Sequence, residues 1–203
     1  MITIIDYGAG NIGSVLNMIR HVGGQAEVAR DAAGVLGAGK ILLPGVGSFD
    51  NAMTRLAGLG LVEPLKARAG AGIPFLGICL GMQLLADASE EGRMAGLGLI
   101  PGQVRRFQFD GEAARLKIPH MGWNRVTPVR AHPLAQGLED GARFYFVHSY
   151  FYDCERDEDI LLRSVYGREF TSGVQRGNVM GVQFHPEKSH RYGMQLIRNF
   201  VGL

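Results

Sequence analysis

The chain has 203 residues, 46% hydrophobic and 20% charged, a composition that excludes a disordered chain and suits one compact domain. Its 21 Lys and Arg against 19 Asp and Glu leave a formal charge of +2, and the basic residues are scattered, so no nucleic-acid surface is indicated. The two cysteines, Cys79 and Cys154, form no disulfide framework, and no apolar stretch reaches the roughly 18 residues of a membrane span.

In chain order, the opening Met1-Ile2-Thr3-Ile4-Ile5-Asp6 is too short an apolar run for a signal peptide and has no basic leader, so a cytoplasmic protein is expected. Residues 2–6 read as a strand. Residues 11–22 carry Ile12, Val15, Leu16 and Ile19 at helical spacing, with Asn11 as cap. Short apolar runs at 26–29, 40–43 and 74–78 alternate with helical patterns at 49–56, 61–69 and 80–86. Such alternation predicts a parallel sheet covered by helices. From about Gly102 the texture changes to short alternating runs at 103–107, 142–147, 160–165, 170–175 and 179–184, which read as antiparallel or mixed strands. The tail at 190–201 places Met194, Ile197 and Val201 on one helical face that should pack on the sheet. Gly, at 30 residues, is about twice its usual share, as many tight turns require.

Gly77-Ile78-Cys79-Leu80-Gly81 lies between a buried strand and an apolar-periodic helix, the arrangement of a nucleophile elbow with Cys in place of Ser. The sharpness of that turn calls for small residues two before and two after the nucleophile. A helix beginning at Cys79 aims free N–H groups and a positive dipole end at the sulfur, favouring the thiolate and freeing the Leu80 N–H for an oxyanion. Taken alone, a cysteine at a strand end is more often a buried small hydrophobe. A thiol nucleophile also needs a base, and 179–184 reads as a strand ending in His185-Pro186-Glu187. Pro186 is expected to keep the backbone extended, so that Glu187 accepts from the His185 ring while the other ring nitrogen faces the sulfur. Pro44-Gly45-Val46-Gly47, where another strand empties, offers bare backbone N–H groups to a substrate, although Pro-Gly is also ordinary turn punctuation.

Rival signals are weaker. Gly8-Ala9-Gly10-Asn11-Ile12-Gly13 fits Gly-x-Gly-x-x-Gly, with Glu27 at about the spacing of a ribose-binding acid, which leaves a non-catalytic nucleotide-binding module as an alternative. His185 and His190 do not form a His-Glu-x-x-His pair, so neither a metal nor another cofactor is expected. Cys154 sits among acids that hold its thiol protonated, and His21, His120, His132 and His148 read as structural or surface residues.

Together, Pro44-Gly45-Val46-Gly47, Gly77-Ile78-Cys79-Leu80-Gly81-Met82-Gln83 and His185-Pro186-Glu187 resemble the class I (triad) glutamine amidotransferases. Four further segments narrow the resemblance to the glutaminase subunits of imidazole glycerol phosphate synthases: Asp6-Tyr7-Gly8-Ala9-Gly10-Asn11, Pro119-His120-Met121-Gly122-Trp123-Asn124, Phe146-Val147-His148-Ser149-Tyr150 and His185-Pro186-Glu187-Lys188-Ser189. The resemblance implies one amidotransferase domain over residues 1–203. Its fold would be a three-layer, flavodoxin-like α/β one with a mostly parallel central sheet and a mixed, antiparallel extension in the second half. It implies that Cys79, His185 and Glu187 hydrolyse glutamine and that ammonia passes to a (β/α)8-barrel cyclase partner in histidine biosynthesis. Leu80, Gly45 and Val46 would hold the oxyanion, with the Gly45-Val46 peptide reorienting when the partner binds. Gly47, Gln83, Ser149 and Tyr150 would bind glutamine, while Asn11, Met121, Trp123, Tyr145 and Lys188 would face the cyclase. A glutaminase serving another synthase, for sugar amidation or vitamin assembly, is the alternative within enzymes.

Overall fold

The computed structural model describes residues 1–139 and 141–203. The strands are β1 (Ile2–Ile5), β2 (Ala26–Ala29), β3 (Ile41–Gly45), β4 (Phe75–Cys79), β5 (Ala88–Ser89), β6 (Gly102–Arg106), β7 (His120–Arg125), β8 (Thr127–Pro128), β9 (Arg143–His148), β10 (Tyr150–Cys154), β11 (Ile160–Tyr166), β12 (Arg168–Arg176) and β13 (Val179–Val182). The α-helices are α1 (Ile12–His21), α2 (Ala32–Gly37), α3 (Phe49–Gly58), α4 (Val62–Gly70), α5 (Leu80–Gln83) and α6 (His190–Gly202).

The main sheet runs β2-β1-β3-β4-β13-β12-β10-β6-β5, with β11 beside β12 and β8 beside β11. Pairing is parallel from β2 through β13 and antiparallel where β13 meets β12, β12 meets β10 and β10 meets β6. This is the expected α/β architecture with a parallel centre and an antiparallel extension. Strands β7 and β9 form a separate antiparallel pair.

Period-two alternation along the central strands divides the core into two layers. Ile2, Ile4, Leu42, Leu76, Ile78, Met180 and Val182 face Val15 and Ile19 of α1 and Leu196, Ile197 and Phe200 of α6. Ile5, Ile41, Leu43, Phe75 and Val179 face the helices α3 and α4 on the other side, through Phe49, Met53, Leu56 and Leu65. Asn11 caps α1 as expected, its side chain accepting from the Ser14 N–H at 3.2 Å.

Two expectations need correction. The helix expected over 80–86 is a single α-turn, after which the Leu85 and Ala86 N–H groups bond three residues back, to Met82 and Gln83. The loop at 96–100 takes the carbonyls of Leu84, Leu85 and Ala86 as acceptors for Leu97, Leu99 and Gly98, so no longer helix can form. Second, β3 continues through Pro44 to Gly45. A proline is tolerated there because β1 pairs with β3 only as far as Leu42, so its missing N–H costs no ladder bond. Among the described residues, no helix is long and apolar enough to cross a membrane.

Candidate active site

In parallel α/β sheets the functional crevice lies beyond the carboxyl ends of the strands. Three strand ends converge there. Cys79 closes β4, Gly45 lies directly opposite it at the end of β3, and Val182 of β13 pairs with Ile78, one residue before the cysteine.

Cys79 has φ 55° and ψ −111°, a left-handed conformation that a side chain occupies only when its surroundings enforce it, at ~1–3 kcal/mol. The glycines explain how the turn closes. A Cβ on Gly81 would lie 1.9 Å from the Leu43 carbonyl oxygen, and one on Gly77 would lie 2.5 Å from the Gly81 carbonyl oxygen. A Cβ on Gly45 would meet the Tyr7 hydroxyl at 2.5 Å and the Gly81 nitrogen at 3.0 Å, so β3 presses its bare backbone against the elbow. With only one helical turn following, the dipole contribution expected from a longer helix is small.

His185 follows the carboxyl end of β13, held by its own N–H to the Tyr145 carbonyl at 2.9 Å and by Ser189 Oγ, which donates to its carbonyl. Its Nδ1 lies 2.8 Å from Glu187 Oε1, and both side chains are buried. The means differs from the expected extended backbone. Pro186 opens a 3-10 turn at Pro186–Lys188, where its fixed φ suits the first helical position, and that turn folds Glu187 back under the ring. Gly193 lets α6 close over this turn, since a Cβ there would strike the Pro186 carbonyl at 1.9 Å. Burial works against a charged imidazole, but the Cys79 sulfur and the Glu187 carboxylate outweigh it and raise His185 to about 9. Its Nε2 is buried without a settled hydrogen-bond partner and borders the cavity that holds the cysteine.

That cavity, of about 320 Å³, brings together Val46, Gly47, Cys79, Leu80, Gln83, Ser149, Tyr150 and His185, all singled out from the sequence. It sits at the lower end of ligand-cavity sizes (~300–1,000 Å³), scaled to an amino acid rather than a dinucleotide. Gln83 is committed inward: its Nε2 lies 3.2 Å from the Tyr150 carbonyl and 3.0 Å from Gln183 Oε1. Gly45 lies behind the cavity wall, bordering a separate hollow of about 10 Å³ with Gly10, Asn11 and Glu187.

Sequence reasoning missed three residues at this site. Glu91 lines the cavity and its Oε2 accepts the Phe49 N–H at 2.8 Å, capping α3 in place of Ser48. His148 also lines it and is buried, with a pKa driven down to about 3, chiefly by burial. Tyr7 is buried with its hydroxyl unpartnered against Gly45, and its ionisation is suppressed by burial and then by the charge of Cys79. Glu91 lies outside every segment that carries the resemblance and reaches the site only through tertiary packing, whereas Tyr7 and His148 stand within the segments 6–11 and 146–150, whose sequence does not say which of their side chains meet the site.

None of the five residues expected to face a partner lines that cavity. Met121 and Trp123 project from β7 at 62% and 42% exposure. Trp123 stacks on His190 at 5.4 Å, and the Lys188 ammonium lies 5.6 Å from the centre of the Tyr145 ring. Lys188 and Asn11 are exposed, and Tyr145 is half-buried. The Gly8–Gly13 loop is engaged by the protein itself: Asp6 accepts the Gly8 N–H at 3.1 Å and Arg55 donates to the Gly8 carbonyl. Glu27 accepts from the Thr3 hydroxyl at 3.0 Å. Cys154 is driven up to about 12, first by burial and then by Asp159 and Asp153.

The strand order, the cysteine elbow and the His-Pro-Glu turn describe a glutaminase of the flavodoxin-like kind, and the chain belongs to the class-I glutamine amidotransferases, whose family model matches residues 3–202. Solved structures agree at the level of the fold. PurLQS from Thermotoga maritima matches with a TM-score of 0.71 at 18% identity, over 99% of this chain and 97% of that one. The Trypanosoma brucei CTPS glutaminase domain matches at 0.65 and 19%, over 99% and 93%. Much greater sequence similarity is found to imidazole glycerol phosphate synthase subunit HisH 2 of Methanococcus maripaludis, 49% identical over 99% of this chain and 98% of the relative. Imidazole glycerol phosphate synthase subunit HisH of Bdellovibrio bacteriovorus is also 49% identical, over 98% of both chains.

Proposed function

We infer that the chain is the glutaminase subunit of an imidazole glycerol phosphate synthase, acting as one domain. It supplies ammonia to a (β/α)8-barrel cyclase in histidine biosynthesis. Full-length relatives at 49% identity carry that name and support this acceptor over the alternatives of sugar amidation or vitamin assembly. The chemistry rests on one observation: the strained Cys79 and the buried, free Nε2 of His185 border a single cavity of amino-acid size.

The Cys79 sulfur attacks the side-chain amide carbon of glutamine, forming a C–S bond while the carbonyl π electrons move to oxygen. The Leu80 N–H would stabilise the developing oxyanion, joined by an N–H of the Gly45-Val46-Gly47 segment once the partner is docked. Collapse of the intermediate breaks the C–N bond, and His185 delivers the proton that leaves with ammonia. Water, deprotonated by His185, then attacks the thioester carbon and releases glutamate and the thiol. Glu187 holds the imidazole through Nδ1 and stabilises its cationic form. The Glu91 carboxylate at the cavity wall suits the α-ammonium of the substrate, and the Ser149 and Tyr150 backbone completes the wall.

Asn11, Met121, Trp123, Tyr145 and Lys188 form the cyclase-facing surface, with Trp123 as its aromatic anchor. Reorientation of the Gly45-Val46 peptide on docking would turn an N–H toward the oxyanion, leaving the isolated chain nearly inactive. The test is the reconstituted complex with Cys79→Ala. Glutamine-dependent synthesis should vanish while synthesis from free ammonia continues; persistence of the glutamine-dependent rate would sink the proposal.

A further inference from the structure

Two buried histidines remain unused by the mechanism, and they lie between the glutamine cavity and the surface assigned to the partner. His120 and His148 are 3% and 6% exposed and face one another across the β7–β9 pair. We propose that His120 and His148 are positioning residues for glutamine hydrolysis, a hydrogen-bonded relay fixing the cavity wall at Tyr150 relative to the strand that carries Met121 and Trp123. The inference rests on the partnered-glutaminase reading given above.

The proton positions follow from the partners. His148 Nδ1 lies 2.7 Å from the Tyr150 carbonyl, which only accepts, so Nδ1 carries the hydrogen and Nε2 holds a lone pair. His120 Nδ1, 2.9 Å from that Nε2, must therefore donate, and its own Nε2 must accept. Asn124 Nδ2 stands 3.3 Å away as the donor. The amide orientation of Asn124 is itself fixed, since its Oδ1 accepts the Arg125 N–H at 2.8 Å and its Nδ2 bonds the Val165 carbonyl at 2.8 Å. The relay needs both rings neutral, and burial lowers His120 to about 4 and His148 to about 3.

At its inner end the Tyr150 carbonyl also accepts from Gln83, which bonds Gln183, whose Nε2 lies 3.8 Å from the Cys79 sulfur. At its outer end, strand alternation does the rest: His120 and Asn124 point inward and Met121 and Trp123 point outward from the same strand. A shift of β7 under a docked partner therefore moves the donor held against His148, and with it the Tyr150 carbonyl.

Hydrogen bonding and packing are separable here, because His120 also stacks on Tyr166 at 4.0 Å and on Phe146 at 4.9 Å. His120→Phe keeps the stacked ring and removes the donor, whereas His120→Asn loses the ring and keeps an amide N–H close to the Nδ1 position. In the complex with the cyclase, His120→Phe should raise the KM for glutamine by roughly tenfold with kcat changed far less, because a buried acceptor is left unpaired. His120→Asn should stay within about threefold of wild type, its donor being retained. Equal effects, no effect, or a larger defect in the Asn variant would overturn the relay. Should His120→Phe not fold, ¹⁵N spectra of the wild-type complex decide: both rings are expected as the neutral Nδ1–H form, and an Nε2–H His148 would refute it. A wild-type complex without glutaminase activity would instead sink the functional reading on which the relay rests.

Discussion

Gly81→Ala is the most severe single-methyl perturbation of the elbow. The added carbon would sit 1.9 Å from the Leu43 carbonyl oxygen and 2.9 Å from its carbonyl carbon, where close C–H···O contacts are about 3.3–3.6 Å. The obstacle is backbone in the middle of the sheet, and Leu43 is itself in register with Gly77, so neither side of the contact can swing away as a side chain would. Relief requires β3 or the elbow to move by more than an ångström, and overpacking of this kind costs ~1–3 kcal/mol or more. Gly13→Ala is the matched control. Its added carbon meets nothing within 4 Å and lies in the first turn of α1, so it should stabilise by ~0.4–1 kcal/mol through the unfolded chain. Urea unfolding of both variants, with glutaminase assays of their complexes, reads the difference. Gly81→Ala should lose stability and nearly all glutaminase activity. A Gly81→Ala protein as stable and active as wild type would refute the close-packed elbow.

Three further outcomes follow from the same geometry. His185 is raised from 6.5 to about 9, so its contribution to stability, at most ~3 kcal/mol, is complete below about pH 6.5 and is lost as pH climbs through 9. Glu187→Gln removes one of the two groups that raise it, so thermal unfolding midpoints across pH 6–10 should fall less steeply in the variant; parallel curves would exclude the pairing. A glutamine-analogue electrophile at neutral pH should label Cys79 and spare Cys154, whose thiol is driven up to about 12, and peptide mass spectrometry showing comparable labelling would contradict this. Trp123→Ala should weaken cyclase binding by ~2 kcal/mol or more, measured by calorimetry, with little change in the unfolding of the isolated chain; unchanged affinity would remove Trp123 as an anchor.

The parallel half of the fold was legible because its strands are short, mostly apolar runs punctuated by Gly and Pro, and its helices α1 and α3 carry clear 3.6-residue spacing. Helix α2 escaped notice: Ala32–Gly37 has a good cap in Asp31 but only Val35 buried, too little to form a stripe. Strand β7 was hidden because Gly122 interrupts the alternation and its exposed positions hold Met121 and Trp123, inverting the usual pattern of apolar in and polar out. The overlong helix at 80–86 reflects apolar residues buried on all sides, where periodicity loses meaning and the loop at 96–100 decides the ending. At the site, Cys79, His185 and Glu187 stand in motifs whose local geometry restricts the residue types. Glu91 sits in ordinary local sequence, and Tyr7 and His148, though inside segments that carry the resemblance, gain their places at the site from contacts distant along the chain.

The central claim is that a γ-glutamyl group resides on one sulfur during turnover. The complex, acid-quenched within a turnover of glutamine and digested, should yield the peptide containing Cys79 with a γ-glutamyl mass increment that is absent in Cys79→Ala. Glutamine hydrolysis at the wild-type rate with the adduct on another residue, or with activity retained in Cys79→Ala, would contradict it.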